Sequence, residues 1–200
     1  MTDGQTKFPQ LEITKKSGDE NFSHGGKPLS LDLLGFWQWS GSDLTGNTAR
    51  GVLAEFIVAT ALGIADKLRI EWDAFDLIEK NGKKIEVKSS SYLQTWHQRK
   101  LSAITFGIQR TRIWDPKTNT MIGELRRQSE IYIFCILAQK ESKKLDPLNL
   151  DQWEFYILPT SVLDEKCPTQ KTIGLSRLLT LGPKVVKYGG IADAIVNLQL

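Results

Sequence analysis

Histidine and cysteine each occur only twice in this 200-residue chain. Cys135 and Cys167 supply no disulfide framework, and Cys135 sits in an apolar run, as a small hydrophobe would. With His24 and His97 the only histidines, no Cys/His cluster with zinc spacing exists. The N-terminus has no apolar signal core. The longest apolar run, about fifteen residues, falls short of the roughly 20 that a membrane helix needs. There is no internal repeat and no low-complexity tract. Charge of one sign is also scarce: the net charge is +3 with a pI near 8.8, a mild lean towards a polyanionic partner. What remains is a soluble, cytoplasmic reading at single-domain length, with no membrane contact and ample residues for a core.

The stretch from Trp72 to Trp96 organises the rest. Two short apolar-alternating runs flank Asn81-Gly82, a strong hairpin signal. On the second run Glu86 and Lys88 share one strand face, while Ile85 and Val87 take the other. Whether Asp76 joins Glu86 and Lys88 depends on the loop. A two-residue loop pairs position 76 with 87 and turns Asp76 away. A three-residue loop with Gly82 left-handed pairs 76 with 86, or with 88 if the loop starts one residue later. Glu-x-Lys spacing alone carries little, because Lys84, Glu86 and Lys88 also suit the wet face of an ordinary strand. Glu141/Lys143, Asp115/Lys117 and Asp164/Lys166 repeat the spacing in polar or turn-like segments.

The preceding helix adds weight. Arg50 to Leu62 predicts a helix capped by Asn47 or Thr48 and stopped by Gly63. It is apolar almost all round beyond its first turn, the mark of a buried helix. Glu55 sits in its middle, and positions 51, 52, 58 and 59 are Gly, Val, Val and Ala, so no neighbour one turn away pairs with it. A buried carboxylate without a partner is costly. A metal ion, a lysine from another element or a polar cleft would relieve it.

Gly51-x-x-x-Glu55 on a first helix, then Asp76, then Glu86-Val-Lys88 on the next strand, resembles the PD-(D/E)XK nuclease superfamily. The resemblance is firm over residues 47–96. It implies a restriction-endonuclease-like α/β fold, a mixed central β-sheet flanked by helices, over 28–200 as one domain. It implies a metal-dependent nuclease, in the first place a DNA endonuclease, with double-stranded DNA as partner and a homodimer left open. Asp76, Glu86 and Glu55 would bind Mg²⁺, with Mn²⁺ as a substitute, and Lys88 would orient or activate the attacking water. Ser90, Tyr92 and Gln94 share the parity of that face if the strand runs on, which makes Gln94 a further site candidate. A catalytically silent nuclease-like binding module is the alternative. The residue types suit the chemistry: hard oxygen ligands hold Mg²⁺ through few protein contacts, the metal polarises phosphate and water, and a lysine beside the water orients or deprotonates it.

Elsewhere, Met1 to Lys27 is polar and expected to be flexible. Ser30 to Trp39 predicts a short helix capped by Ser30. A strand over Leu68 to Trp72 runs into Asp73, the reserve metal ligand. The resemblance calls for a crossover helix after the third strand, for which only Leu93 to Lys100 is a candidate. Ile104, Phe106 and Ile108 alternate as a strand. Trp114 to Asn119 is a turn and Met121 to Leu125 its return, an inserted β-hairpin carrying Arg110, Arg112, Lys117, Arg126 and Arg127. Those cations either grip phosphates or form a solvated face. Glu130 to Ala138 reads as a strand buried on both faces, Trp153 to Leu158 as another strand ended by Pro159, and Thr160 to Glu165, Ser176 to Leu181 and Ile191 to Leu198 as short helices.

Overall fold

Apolar residues at every second position build the centre of the molecule. In the computed structural model, which describes Phe8, residues 11–71 and residues 73–199, the chain opens with a hairpin of β1 (Asn21–His24) and β2 (Lys27–Asp32). Helices α1 (Leu33–Gly41) and α2 (Asn47–Ala61) follow, then β3 (Leu77–Ile78), β4 (Lys84–Ser91), β5 (Thr105–Gly107), β6 (Thr111–Asp115), β7 (Thr120–Arg126), β8 (Ile131–Leu137) and β9 (Trp153–Pro159). The chain ends with α3 (Thr160–Lys166), β10 (Thr172–Gly174), α4 (Leu175–Thr180), β11 (Lys184–Val186) and α5 (Ile191–Val196).

Five strands form a mixed sheet in the order β11-β9-β8-β4-β3, with β4 and β8 parallel and the other pairs antiparallel. One face packs against α2 and α5, through Ile85, Val87, Ile131, Ile133, Cys135, Phe155, Ala54, Val58 and Ile195. The other packs Tyr132, Phe134, Ile136 and Leu158 against Ile104, Phe106 and Ile108 around β5, Ile173 of β10, Leu163 of α3 and Leu178 of α4. Every residue of β8 is buried, as a strand covered on both faces must be. Each large side chain so enclosed contributes about 1.5–3 kcal/mol. The architecture is therefore mixed α/β with a central mixed sheet flanked by helices.

The connection between the parallel strands β4 and β8 contains no helix. The predicted segment Leu93–Lys100 is irregular, and β5 covers that face of the sheet instead, paired with β10 as Phe106↔Ile173. The inserted hairpin is present as β6 and β7, closed by a turn in which Asp115 accepts from Lys117 N–H (2.9 Å) and Thr118 Oγ1 (2.8 Å).

Several local expectations are corrected. The first hairpin reaches back to Asn21, inside the segment that the sequence left without a fold signal. Asp32, not Ser30, caps α1, its Oδ1 accepting from Gly35 N–H at 2.8 Å, and Ser30 belongs to β2. Gly46 precedes α2 with no side-chain cap, and Asn47 instead accepts from Arg50 Nη2 at 2.8 Å. Gly63 does stop α2: at φ +63° it donates to Thr60 O while Ile64 N–H reaches back to Ala59 O. Nor is α2 buried all round. Ala54, Ile57 and Val58 are buried, while Val52 and Phe56 are exposed at 41% and 58%. Residues 68–71 form no strand, and Trp72 lies outside the described residues.

Candidate active site

Loop chemistry decides where the three charged residues of the β3–β4 hairpin point. Leu77 pairs with Ile85 and Ile78 with Lys84, and Glu79 N–H donates to Lys83 O, which leaves a three-residue loop, Lys80-Asn81-Gly82. Gly82 takes φ +84°, a left-handed conformation that favours glycine. Continued by one residue, that register sets Asp76 beside Glu86. Asp76 N–H donates to Ile85 O (3.1 Å), and its Oδ2 accepts from Val87 N–H at 2.7 Å. Of the loops open from the sequence, this one gathers Asp76, Glu86 and Lys88.

The cluster is electrostatically strained. Lys88 Nζ lies 2.5 Å from Glu86 Oε1, with the two side chains 31% and 18% exposed. Ser129 Oγ donates to Glu86 Oε2 at 3.3 Å. Burial, reinforced by the charge of Glu86, pushes the Asp76 carboxyl up to about 7, and Lys88 and the Val87 N–H offset only part of that. For Lys88, burial favours the neutral amine, but Glu86 and Asp76 together outweigh it and raise its pKa. The two carboxylates therefore favour the ammonium form.

Glu86 and Lys88 open into a cleft of about 220 Å³ that also includes Ala74, Gly107, Gln109, Thr111, Gln128 and Tyr132. Its walls come from β4, β5, β8 and the base of the inserted hairpin. Asp76 also borders a neighbouring, more apolar cleft of about 290 Å³ with Val52, Phe56, Phe75, Glu55, Arg69 and Asp73.

Glu55 is 12% exposed and has found a partner that the sequence did not supply nearby. Arg69 reaches back from the irregular segment after α2, its Nε 2.5 Å from Glu55 Oε2 and its Nη2 3.2 Å from Oε1. This two-point contact fits the planar guanidinium. Glu55 is close enough to contribute to the fields at Asp76 and Lys88, yet its oxygens are committed to Arg69.

Gln94 is not on β4. β4 ends at Ser91, and Gln94 lies in the following loop, where Nε2 donates to Ser91 O (3.0 Å) and Ser102 Oγ (3.3 Å). Its amide pins that loop. Asp73 is exposed on the rim of the apolar cleft. Tyr132, Gln128, Gln109 and Ser129 border Glu86 and Lys88 without any sequence signal, because β8 and the base of the hairpin reach β4 only through the fold.

As donors for a hard divalent cation, Asp76 and Glu86 fit. They are two adjacent carboxylates, one of them raised towards its protonated form by burial and then by the charge of the other, and Mg²⁺ is commonly held by one or two such groups. Glu55 does not fit while it pairs with Arg69. Accordingly, no group of three or more acidic, histidine or cysteine side chains placed to hold a metal occurs among the described residues. No helix among them is long and apolar enough to cross a membrane.

Compared with known proteins, residues 38–177 match the family model described as bacteriophage T4 endonuclease IV, a span that takes in α2, the β3–β4 hairpin, β6, β7, β8 and β9. No curated protein matches the chain.

Proposed function

The chain belongs to the bacteriophage T4 endonuclease IV family, and on that premise we propose that it is a divalent-metal-dependent DNA endonuclease of the PD-(D/E)XK type. The observation that carries the reading is the gathering of Asp76, Glu86 and Lys88 by a three-residue loop inside the family match, with Glu86 and Lys88 opening to one cleft and Asp76 to its neighbour. Asp76 and Glu86 would hold Mg²⁺ or Mn²⁺. Bound there, the ion would supply Lewis-acid polarisation of the phosphate and a lowered water pKa.

The chain's own residues do the remainder. Lys88, protonated beside Glu86, donates to and orients the attacking water and offsets charge that develops on the phosphate. Ser129 holds the far oxygen of Glu86, so that carboxylate is fixed from both ends. Arg69 keeps Glu55 folded against the same corner of the site.

The test is incubation with plasmid, linear duplex, single-stranded DNA and RNA in Mg²⁺ or Mn²⁺, beside a Glu86→Ala control. Cleavage of DNA by the wild type and not by the control is the expected result. A wild type that binds these substrates and cuts none of them in either metal would replace this reading with that of a silent binding module.

A further inference from the structure

The β6–β7 hairpin, like the β1–β2 hairpin, forms a two-stranded sheet of its own and is largely exposed. All seven residues of β7 are exposed, and neither strand joins the central sheet. A ribbon that gains so little from the core is still held firmly at its base. The Arg127 side chain is 0% exposed and donates to Ile108 O (2.8 Å), Cys167 O (2.7 Å) and Asp164 Oδ1 (2.6 Å). Gln128 Nε2 donates to Thr111 O at 2.7 Å, which ties the two strands together where they leave the domain. Farther out, Ile113 pairs with Ile122 and Trp114 with Met121. Such cross-strand pairs stiffen a ribbon. Its direction is therefore set by the domain.

That direction starts at the active site. Gln109, Thr111 and Gln128, at the base of the ribbon, line the same cleft as Glu86 and Lys88. Charge is concentrated along it as well. Arg110, Arg112, Lys117 and Arg126 against Asp115 and Glu124 give +2 for residues 110–126, in a chain whose whole net charge is +3. Asp115 is occupied in capping the turn. Arg112 and Lys117 form no ion pair among the described residues, whereas Arg110 lies 3.6 Å from Asp164. At about 3.3 Å per residue, the five residues of β6 reach about 13 Å, roughly the axial length of four nucleotides of a duplex.

We propose that the β6–β7 ribbon is a nucleic-acid arm that holds the phosphate backbone running out of the Glu86–Lys88 cleft, with Arg112 and Lys117 as its phosphate contacts. The proposal rests on the nuclease reading for its ligand class. Counterions released from each phosphate contact give binding a salt dependence, and loss of the contact lowers it. The buried Arg127 sets the arm's angle and touches no phosphate.

The experiment measures binding of a labelled duplex and a labelled single strand, without divalent ions, as a function of salt. The Arg112→Ala/Lys117→Ala variant is compared with the wild type and with Lys143→Ala/Lys184→Ala, which removes the same charge away from the ribbon. The arm variant should lose about 1.8 from the slope of log affinity against log salt on a duplex, or about 1.4 on a single strand. The control should lose little, and all three proteins should melt together. An unchanged slope, an equal loss in the control, or a change in oligomeric state on sedimentation overturns the arm. Wild-type cleavage is read separately: cutting with an unchanged slope removes the arm alone, whereas a lowered slope with no cutting removes the nuclease and leaves the arm.

Discussion

β4 and β8 lie side by side in parallel, with Glu86 opposite Tyr132, Lys88 opposite Phe134 and Ser90 opposite Ile136. Towards α2 the two strands are alike, with Ile85 and Val87 beside Ile131 and Ile133 in one core. Towards β5 they differ completely. β8 presents aromatic and aliphatic side chains that Ile104, Phe106 and Ile108 cover, while β4 presents an ion pair that opens to a cleft. One sheet face thus passes from core to chemistry within one strand spacing, about 4.8 Å. The low-dielectric wall on one side is what makes the charges on the other costly.

Substitutions in register test that contrast. Glu86→Ala or Asp76→Ala should abolish cleavage and weaken Mg²⁺ binding by calorimetry together, since a site with so few protein ligands cannot lose one. The fold should persist, because each change relieves like-charge repulsion. Retention of normal metal binding by Asp76→Ala would remove it as a ligand.

Lys88→Met should lower the cleavage rate by about two to four orders of magnitude while metal affinity holds or rises, since a cation leaves the vicinity of a cation. Across the register, Phe134→Ala should behave in the opposite way and cost about 3–5 kcal/mol of stability in denaturant unfolding, as a large core deletion does. A Lys88→Met protein that cuts at the wild-type rate, or a Phe134→Ala protein as stable as the wild type, would erase the division between the two strands.

A smaller effect is expected from pH. With its folded pKa near 7, above the ordinary 3.8, Asp76 binds more protons folded than unfolded between those values. The stability associated with that proton is complete below about pH 4 and lost as pH rises through 7. Without divalent ions, Asp76→Asn should therefore match the wild type near pH 4 and melt several degrees higher at pH 8, at about 2–4 °C per kcal/mol for a chain of this size. Equal melting at pH 8 would mean that the carboxylate is better solvated than its surroundings indicate.

The smallest effect should come from Glu55→Gln. Arg69 is 42% exposed, so loss of the ion pair should cost about 1 kcal/mol or less by thermal melting. If Glu55 leaves Arg69 to join the metal, the substitution should instead reduce Mg²⁺ affinity, which calorimetry reads directly.

What was legible in the sequence was local. The turn at Asn81-Gly82 restricted the register to a few loops, and apolar runs marked β8 and β9, because turn chemistry and burial are written in neighbouring residues. The partner of Glu55 was not legible, since Arg69 lies fourteen residues on in a segment with no periodicity. Arg127 looked like its exposed neighbours, and only the fold shows its guanidinium spent on two carbonyls and Asp164. Gln94 had the right parity for a strand that stopped three residues earlier. The expected crossover helix failed for a related reason: Ile104, Phe106 and Ile108 already cover the face that it would have covered.

That helix-free crossover also bears on the order in which the molecule assembles. Ile85 and Ile131 pair across 46 positions of sequence, and closing an unstructured loop of that size costs about 3 kcal/mol of chain entropy. The β3–β4 hairpin closes over a handful of residues, and so does the β6–β7 ribbon. Asp76 and Glu86 should therefore come together early, on a hairpin still open to water, and become costly neighbours only when β8 docks and excludes solvent. Pulse-labelled hydrogen exchange should show β4 amides acquiring protection in the same slow phase as β8, with the β6–β7 amides already protected. Simultaneous protection of all three would mean that the crossover does not set the pace.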